Sequence, residues 1–318
     1  MRWGDALEAR VRRQFGPGAN NFVVPTKAQF DAYKGVVVQT EAAIKGGRTL
    51  ADAQKAAAAL KLQLTQQDGC WMLQDELRGW GTVMFNAHPH SGLILEVPHP
   101  AFDLGTPELG WEMFRKYDAD VLIVAGAARG NRPDASPQVP NQPTTLSNGF
   151  DPWHHGAGVP DYSVSDPTHA VDTPFEAAHE ALVGPGSVVV QVHGFNAAKH
   201  HQANPAFPAD RQVVLTPCAD DHYYPPVLEG MAKALTTAGY KTGVVSFDDE
   251  ASSELSATIN VQHAYMAQQG LVGPGKPAQF VHIELDSSLR RGPDRGANFT
   301  RLLDVLQPVL GTQGSSSR

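Results

Sequence analysis

The sequence predicts an α/β domain: a central mixed, largely parallel sheet flanked by helices, preceded by a helical N-terminal extension. Two observations predict it. From about residue 70 onward, short apolar, β-branched runs alternate with helical patterns. Runs of that kind suit strands covered on both faces, and strands alternating with helices build parallel sheets. Before residue 70 the chain is instead helical in parts, with Ala6–Phe15 and Leu50–Leu64 rich in Ala, Leu and Arg/Lys/Gln and poor in breakers. The expected division is 1–69 as the extension, 70–311 as the α/β domain and 312–318 as a flexible Gly/Ser tail.

In the extension, Ala6–Phe15 and Leu50–Leu64 are expected as helices, the second starting around Thr49 to Asp52. Gly35-Val36-Val37-Val38 between them reads as a short strand. The expected strands of the domain are 81–85, 93–97, 121–124, 188–192, 213–215, 243–247 and 280–285. The expected helices are 107–117, 174–182, 226–238, 260–269 and 297–310. Thr106 is the expected N-cap of the first, with Pro107 at its first position and Glu108 in its first turn. Residues 130–172 are Pro-, Asn-, Ser-, Gly- and His-containing without a period. A loop of that length inside a domain is usually functional or disordered.

Composition narrows the partners. Of 318 residues, 42% are apolar and 18% charged, enough apolar material for a sizeable core. The formal charge of −8 argues against nucleic acid, whose binding rests on phosphate neutralisation. No apolar run approaches the ~20 residues of a membrane helix. The Arg-rich start lacks the apolar stretch of a signal peptide, and the expectation is a mature extracytoplasmic form rather than a cytoplasmic protein. Cys70 and Cys218 are compatible with one bridge or two buried thiols, and neither has a second Cys at zinc-ligand spacing.

In an open α/β sheet, ligands sit beyond the carboxyl ends of the strands. The residues there are His99 and Asp103 after the run ending at Val97, Arg129, Asn131 and Arg132 after Val124, and His193 after Val192. Glu284 lies near the end of the last run, with Arg290 just beyond. Two imidazoles and one carboxylate with an open fourth position form a catalytic zinc set; His99, Asp103 and His193 fit it. Glu284 fits the general base that such a site needs. Either His alone is as well explained by local capping at a strand end. The pair, with a carboxylate four residues after the first, points to metal. For Glu284 the alternative is a structural bridge to Arg290 or Arg291, and for Arg129 a loop salt bridge.

The segment Pro98-His99-Pro100-Ala101-Phe102-Asp103-Leu104-Gly105-Thr106 resembles the first motif of phage-type poly-γ-glutamate hydrolases, and Val190-Gln191-Val192-His193-Gly194 resembles their second. Ile283-Glu284-Leu285 with Leu289-Arg290 is similar to the terminal strand of N-formylglutamate amidohydrolases. Both groups are similar to the zinc carboxypeptidase superfamily. Asp103 stands where Glu is usual, and Pro100 where Gly is usual. The resemblance implies a phosphorylase/hydrolase-like fold and zinc-dependent cleavage of an amide next to a carboxylate, in a small-molecule, peptide or polyglutamate substrate. Arg129 would then polarise the scissile carbonyl or hold a substrate carboxylate, and Asn131, Arg132 and Arg290 would bind substrate. A cell-wall N-acetylmuramoyl-L-alanine amidase-like hydrolase and a non-catalytic binding module on the same fold are the alternatives.

Other signals lead elsewhere. Gly270–Lys276 nearly matches a phosphate-binding loop, but Pro277 stands where Ser or Thr is needed. No Gly-x-Ser-x-Gly or His-Glu-x-x-His motif is present. Glu176-x-x-His179 is half of a di-iron pattern without its second copy and reads as structural. His169 and Asp172, just before that helix, are expected to support the zinc ligands from behind. The pairs His88/His90, His154/His155 and His200/His201 read as loop histidines. Thr258–Gln262 opens a helix; Asn260 is read either as its cap or as an amide donor to substrate.

Overall fold

The computed structural model describes residues 2–132, 163–218, 223–245, 255, 257 and 260–311. Each apolar run of the 70–311 domain expected as a strand forms one: β3 (Thr82–Asn86), β4 (Leu93–Val97), β5 (Val121–Val124), β6 (Val188–Phe195), β7 (Val213–Thr216), β8 (Thr242–Val244) and β9 (Gln279–Asp286). The helices between them are α4 (Thr106–Lys116), α5 (Pro174–Leu182), α6 (Ala197–Ala203), α7 (Pro226–Thr237), α8 (Val261–Gln268), α9 (Ser287–Arg290) and α10 (Arg295–Leu310). Residues 246–247 of the 243–247 run, most of the 130–172 loop with His154 and His155, and the 312–318 tail lie outside the described residues.

N-terminal to these, α1 (Trp3–Gln14), α2 (Lys27–Lys45) and α3 (Ala51–Ala59) are helical, and β1 (Gln63–Gln67) and β2 (Cys70–Gln74) form a hairpin. Three expectations differ from the structure. Val36 and Val37 are not strand residues: they belong to α2, whose buried positions Tyr33, Val36, Val37, Thr40 and Ala43 follow a helical stripe. Thr26 and Gln29 close a capping box at its start. The second helix stops at Ala59 rather than Leu64, because Lys61 turns left-handed (φ 57°) and releases the chain into β1. The β1–β2 hairpin turns on Asp68-Gly69, both at positive φ, an Asp-Gly signal for a tight turn. Thr106 is not an N-cap: Gly105 holds that position at φ 90°, and the Thr106 hydroxyl donates back to the Asp103 carbonyl at 2.7 Å.

The strands join one sheet in the order β1-β2-β3-β5-β4-β6-β9-β7-β8. It is mixed, and the run β5-β4-β6-β9 at its middle is parallel. β3 and β7 pair antiparallel on either side of that run. One face carries α4, which touches β4, β5 and β6, with α1 and α10 against it. α5 and α8 cover the other face, with α2 outside α5. The register sets Glu96, Gln191, His282 and Thr216 in one row across four strands, and His193 beside Glu284 two residues further on. With the two-residue period of a strand, these side chains share the α5/α8 face. Cys70 and Cys218 are both buried free thiols.

Two glycines at the sheet's carboxyl end exist for Arg290. Its guanidinium donates to the carbonyls of Leu285 (2.9 Å), Phe195 (3.1 Å) and Leu104, stitching β9, β6 and the turn after β4 together. A Cβ at Gly194 would collide with that guanidinium, and one at Gly105 with the Arg290 carbonyl. Gly194→Ala is therefore expected to destabilise the fold by about 1–3 kcal/mol, the usual range for overpacking, read as a shift in the denaturant midpoint.

Candidate metal centre

The chain leaving β4 closes a tight turn in which the His99 carbonyl accepts the amide N–H of Phe102 (3.1 Å) and of Asp103 (2.9 Å). A turn of this kind brings side chains four residues apart to one side, so His99 and Asp103 converge. Asp103 Oδ2 stands 3.4 Å from His99 Nδ1 and 3.5 Å from His193 Nδ1. The two imidazoles are near perpendicular, with centroids 4.8 Å apart. All three residues are buried.

The opposite nitrogens of both rings are engaged. His99 Nε2 donates to Asp166 Oδ1 at 3.0 Å, and His193 Nε2 bonds Gln191 Oε1 at 2.9 Å. Asp166 is itself held by the Thr168 hydroxyl at 2.9 Å and faces His169 Nδ1 at 3.1 Å. Two imidazole nitrogens and a carboxylate oxygen thus point at a common position, a donor set that needs a positive charge between its members. Metal–ligand bonds of about 2.0–2.2 Å at tetrahedral angles put ligand atoms about 3.3–3.6 Å apart. The two distances to Asp103 match that spacing, so the residues present fit a divalent ion, with the partners on the far ring nitrogens that metal-binding imidazoles ordinarily have. The shorter Asp103 side chain reaches the position because the turn brings it there.

Electrostatics follow from burial and from these contacts. Burial works against a charged His99, but Asp166 and Asp103 outweigh it and raise its pKa to about 9. Burial works against ionised Asp103 too, and the facing imidazoles of His193 and His99 outweigh it, so its pKa falls below the usual carboxylate range. His193 is pushed down to about 4, mainly by burial. Without a metal, a proton on His99 supplies the central positive charge.

Glu284 lies beside His193 in the sheet, buried, and burial plus the nearby Asp103 carboxylate push its pKa up to about 8. Its Oε2 has no hydrogen-bond partner among the described residues. His282, two residues earlier, lies against His193 with ring centroids 4.1 Å apart and planes tilted by 40°, and places Nε2 3.7 Å from Glu284 Oε1. His193, His282 and Glu284 also lie close enough to form a second ligand set. The Nδ1 of His193 is turned to Asp103 and its Nε2 to Gln191, so the set with His99 and Asp103 is the one its free nitrogen serves.

The remaining candidates divide. Arg129, at the end of β5, is exposed and lays its guanidinium over the Phe102 ring at 4.6 Å, beside the His99–Asp103 turn. Its charge reaches Glu284. Arg132 is half-buried, its backbone N–H bonded to the Ser165 hydroxyl. Asn131 and Arg290, expected to bind substrate, are committed elsewhere. The Asn131 amide is fully buried, accepting from the N–H groups of Asn21 and Phe22 and donating to the Gly16 carbonyl. The three guanidinium nitrogens of Arg290 hold backbone carbonyls, as described above. Asn260 caps α8, accepting from His263 N–H at 3.0 Å, and its amide nitrogen reaches Gln191 rather than substrate. His200 and His201 lie on α6, not in a loop.

Sequence reasoning missed Asp166, Gln191 and His282. Asp166 lies in the aperiodic 130–172 stretch, where no spacing marks a ligand partner; it, rather than Asp172, reaches His99. Gln191 and His282 did carry a signal: a polar residue two positions before His193 and before Glu284, in runs otherwise apolar, shares their face of the sheet.

Stability against pH has a definite sign here. His99 and Glu284 are raised above their ordinary values of 6.5 and 4.5, so their contribution is present below those values and is lost as pH rises toward about 9 and 8. His193 and Asp103 are depressed, so theirs is lost as pH falls below 6.5 and 3.8. Metal-free protein should therefore lose stability from pH 6 to 9, and Glu284→Gln should flatten that decline. Urea melts across this range test it; an unaltered slope in the Gln variant would contradict the burial of an acidic Glu284.

A scan against protein-family models finds no match, and none of the curated proteins matches in sequence. Among solved structures, the chain is similar to an N-formylglutamate amidohydrolase from Ralstonia eutropha JMP134 (TM-score 0.45, 14% identity, 73% of this chain and 97% of that one). It is also similar to a bacteriophage poly-γ-glutamate hydrolase (TM-score 0.39, 13% identity, 70% and 84%). A third is a metallo-carboxypeptidase from Burkholderia cenocepacia (TM-score 0.41, 12% identity, 82% and 68%).

Proposed function

We propose that this chain is a zinc-dependent hydrolase of an amide bond adjacent to a carboxylate, of γ-glutamyl, N-formyl-amino-acid or peptide C-terminal type. One observation carries the reading. Asp103 Oδ2 stands at ligand–ligand spacing from His99 Nδ1 and from His193 Nδ1, the three residues' ligand atoms lie within 4.8 Å of one another, and the far nitrogens of both rings are engaged by Asp166 and Gln191. Two imidazoles and a carboxylate suit zinc.

A zinc ion held by His99, Asp103 and His193 supplies, when bound, a Lewis acid that lowers the pKa of water toward about 7. Glu284, ionised when a divalent charge stands beside it, would take the proton of the attacking water on Oε2 and hand it to the leaving nitrogen. Burial of the acidic groups keeps bulk water from competing for that proton. Arg129, held on Phe102 at the rim, takes the substrate carboxylate with its fork of donors.

His193→Ala should lose zinc and activity together, measured by metal analysis of the purified variant. Glu284→Gln keeps the ligands but cannot accept the proton; zinc should be retained while the rate falls roughly 10²- to 10⁴-fold. Full activity per folded molecule in that variant would make Glu284 a structural residue. Arg129→Ala should raise KM for a carboxylate-bearing substrate while sparing its uncharged amide analogue. A hydrolysis screen over γ-glutamyl, formyl-amino-acid and muropeptide amides assigns the class. Turnover of muropeptides alone would select the cell-wall amidase, and zinc binding without any turnover a binding module.

A further inference from the structure

Beneath His193 lies a buried network of side-chain amides that the proposed chemistry does not use. Gln191 Oε1 meets His193 Nε2 at 2.9 Å and Asn260 Nδ2 at 2.6 Å. Gln191 Nε2 meets Glu96 Oε2 at 2.9 Å and Gln262 Oε1 at 3.1 Å. Glu96 in turn bonds His179 Nδ1 at 2.7 Å, and Gln262 bonds Glu176 at 2.6 Å. All of these residues are buried.

An amide's two ends are alike in shape, and only their neighbours tell oxygen from nitrogen. Here two backbone groups do so. The Asn260 side chain faces the His263 backbone N–H at 3.0 Å, which can only donate, so Oδ1 lies there and the NH₂ turns to Gln191. The Gln262 side chain faces the Pro167 carbonyl at 2.7 Å, which can only accept, so its NH₂ lies there and its oxygen turns to Gln191. Gln191 is thus offered a donor by Asn260 and an acceptor by Gln262. Only one orientation satisfies both, and that orientation also gives its NH₂ to Glu96. Reversal would oppose NH₂ to NH₂ at Asn260, and oxygen to oxygen at both Gln262 and Glu96. The atom left facing His193 Nε2 at 2.9 Å is therefore an oxygen, which calls for the hydrogen on Nε2, and the Asp103 carboxylate, 3.5 Å from Nδ1 and already facing the protonated His99, is the weaker claimant, so Nδ1 is left bare.

We propose that this relay of buried amides, anchored on the Pro167 carbonyl and the His263 N–H, sets the tautomer of His193, with Gln191 as the positioning residue that keeps the Nδ1 lone pair on the metal position. The tautomer assignment stands on the hydrogen bonds alone; its use for metal rests on the function proposed above. Without such a partner the hydrogen is free to move to Nδ1, where the Asp103 carboxylate accepts it, and the Nδ1–H form is closed to a metal ion. Asp166 does the same for His99 with a carboxylate. The amide relay does it for His193 with an uncharged group against the ring.

The test is ¹⁵N NMR of metal-free protein labelled in histidine at pH 7, with His193 assigned by the signal lost in His193→Gln. The wild type should show hydrogen on Nε2 and an unprotonated Nδ1. Gln191→Met, similar in volume but without the acceptor, should show mixed tautomers, and zinc affinity by chelator competition should fall about 10- to 100-fold. Gln191→Glu returns an acceptor oxygen and should return the Nε2–H form. Hydrogen on Nδ1 in the wild type overturns the proposal, and that spectrum decides the assignment even if Gln191→Met does not fold. Unchanged tautomer and zinc affinity in a folded Gln191→Met also overturn it. A wild type with the Nε2–H form that binds no zinc overturns the metal reading instead, leaving the amide relay standing.

Discussion

The whole site depends on one electrostatic constraint: Asp103 Oδ2 stands within 3.5 Å of the inner nitrogen of two buried imidazoles. Groups so placed repel unless a positive charge lies among them, and a buried charge is costly unless it is paired. The surrounding structure answers that demand. Asp166 and Gln191 take the outer nitrogens, and the rings cannot turn away without giving up those bonds. The pKa pattern is the same constraint seen through protons: His99 goes up, Asp103 goes down, and His193 stays neutral.

Holding three residues from two strand ends at that spacing requires the strand ends themselves to be fixed. Arg290 does this from beneath, bonding the carbonyls of Leu104, Phe195 and Leu285. The glycines that make the motifs look conspicuous in sequence, Gly105 and Gly194, serve that arginine rather than the chemistry, since any side chain there would strike Arg290. The N-terminal helices act to the same end from outside. Glu8 of α1 accepts the Gly105 N–H at 2.7 Å, Asp5 pairs with both terminal nitrogens of Arg295 at 2.8 Å, and Asn131 ties the 16–22 segment to the loop that carries Arg129. The first helix thus braces the turn between His99 and α4.

Polar groups in the core follow a second logic. Glu96, Gln191 and His282 stand in one row of the sheet. Glu96 meets His179 of α5, and Gln191 meets Gln262 of α8, which in turn bonds Glu176 of α5. Such a network is tolerable only where its members find partners. His179 Nε2 and His282 Nδ1 have no hydrogen-bond partner among the described residues. The network is also directional, because each amide is oriented by the next.

From the sequence alone came the strands from β3 to β9, since short apolar runs have little choice but a doubly covered sheet. So did His99, Asp103, His193 and Glu284 as one cluster, because parallel strands deliver their ends to one edge. Local pattern misled where tertiary packing outweighed it. Val36 and Val37 are β-branched yet lie on the buried stripe of a helix, and Asn131 and Arg290 looked like substrate ligands until their donors were found on backbone carbonyls. Asp166 was illegible because it reaches His99 across 67 positions of sequence, with no spacing that announces it. Only the folded chain decided which ring nitrogen faces Asp103, because a tautomer is set by neighbours in space, and those of His193 arrive from β4, β6 and α8.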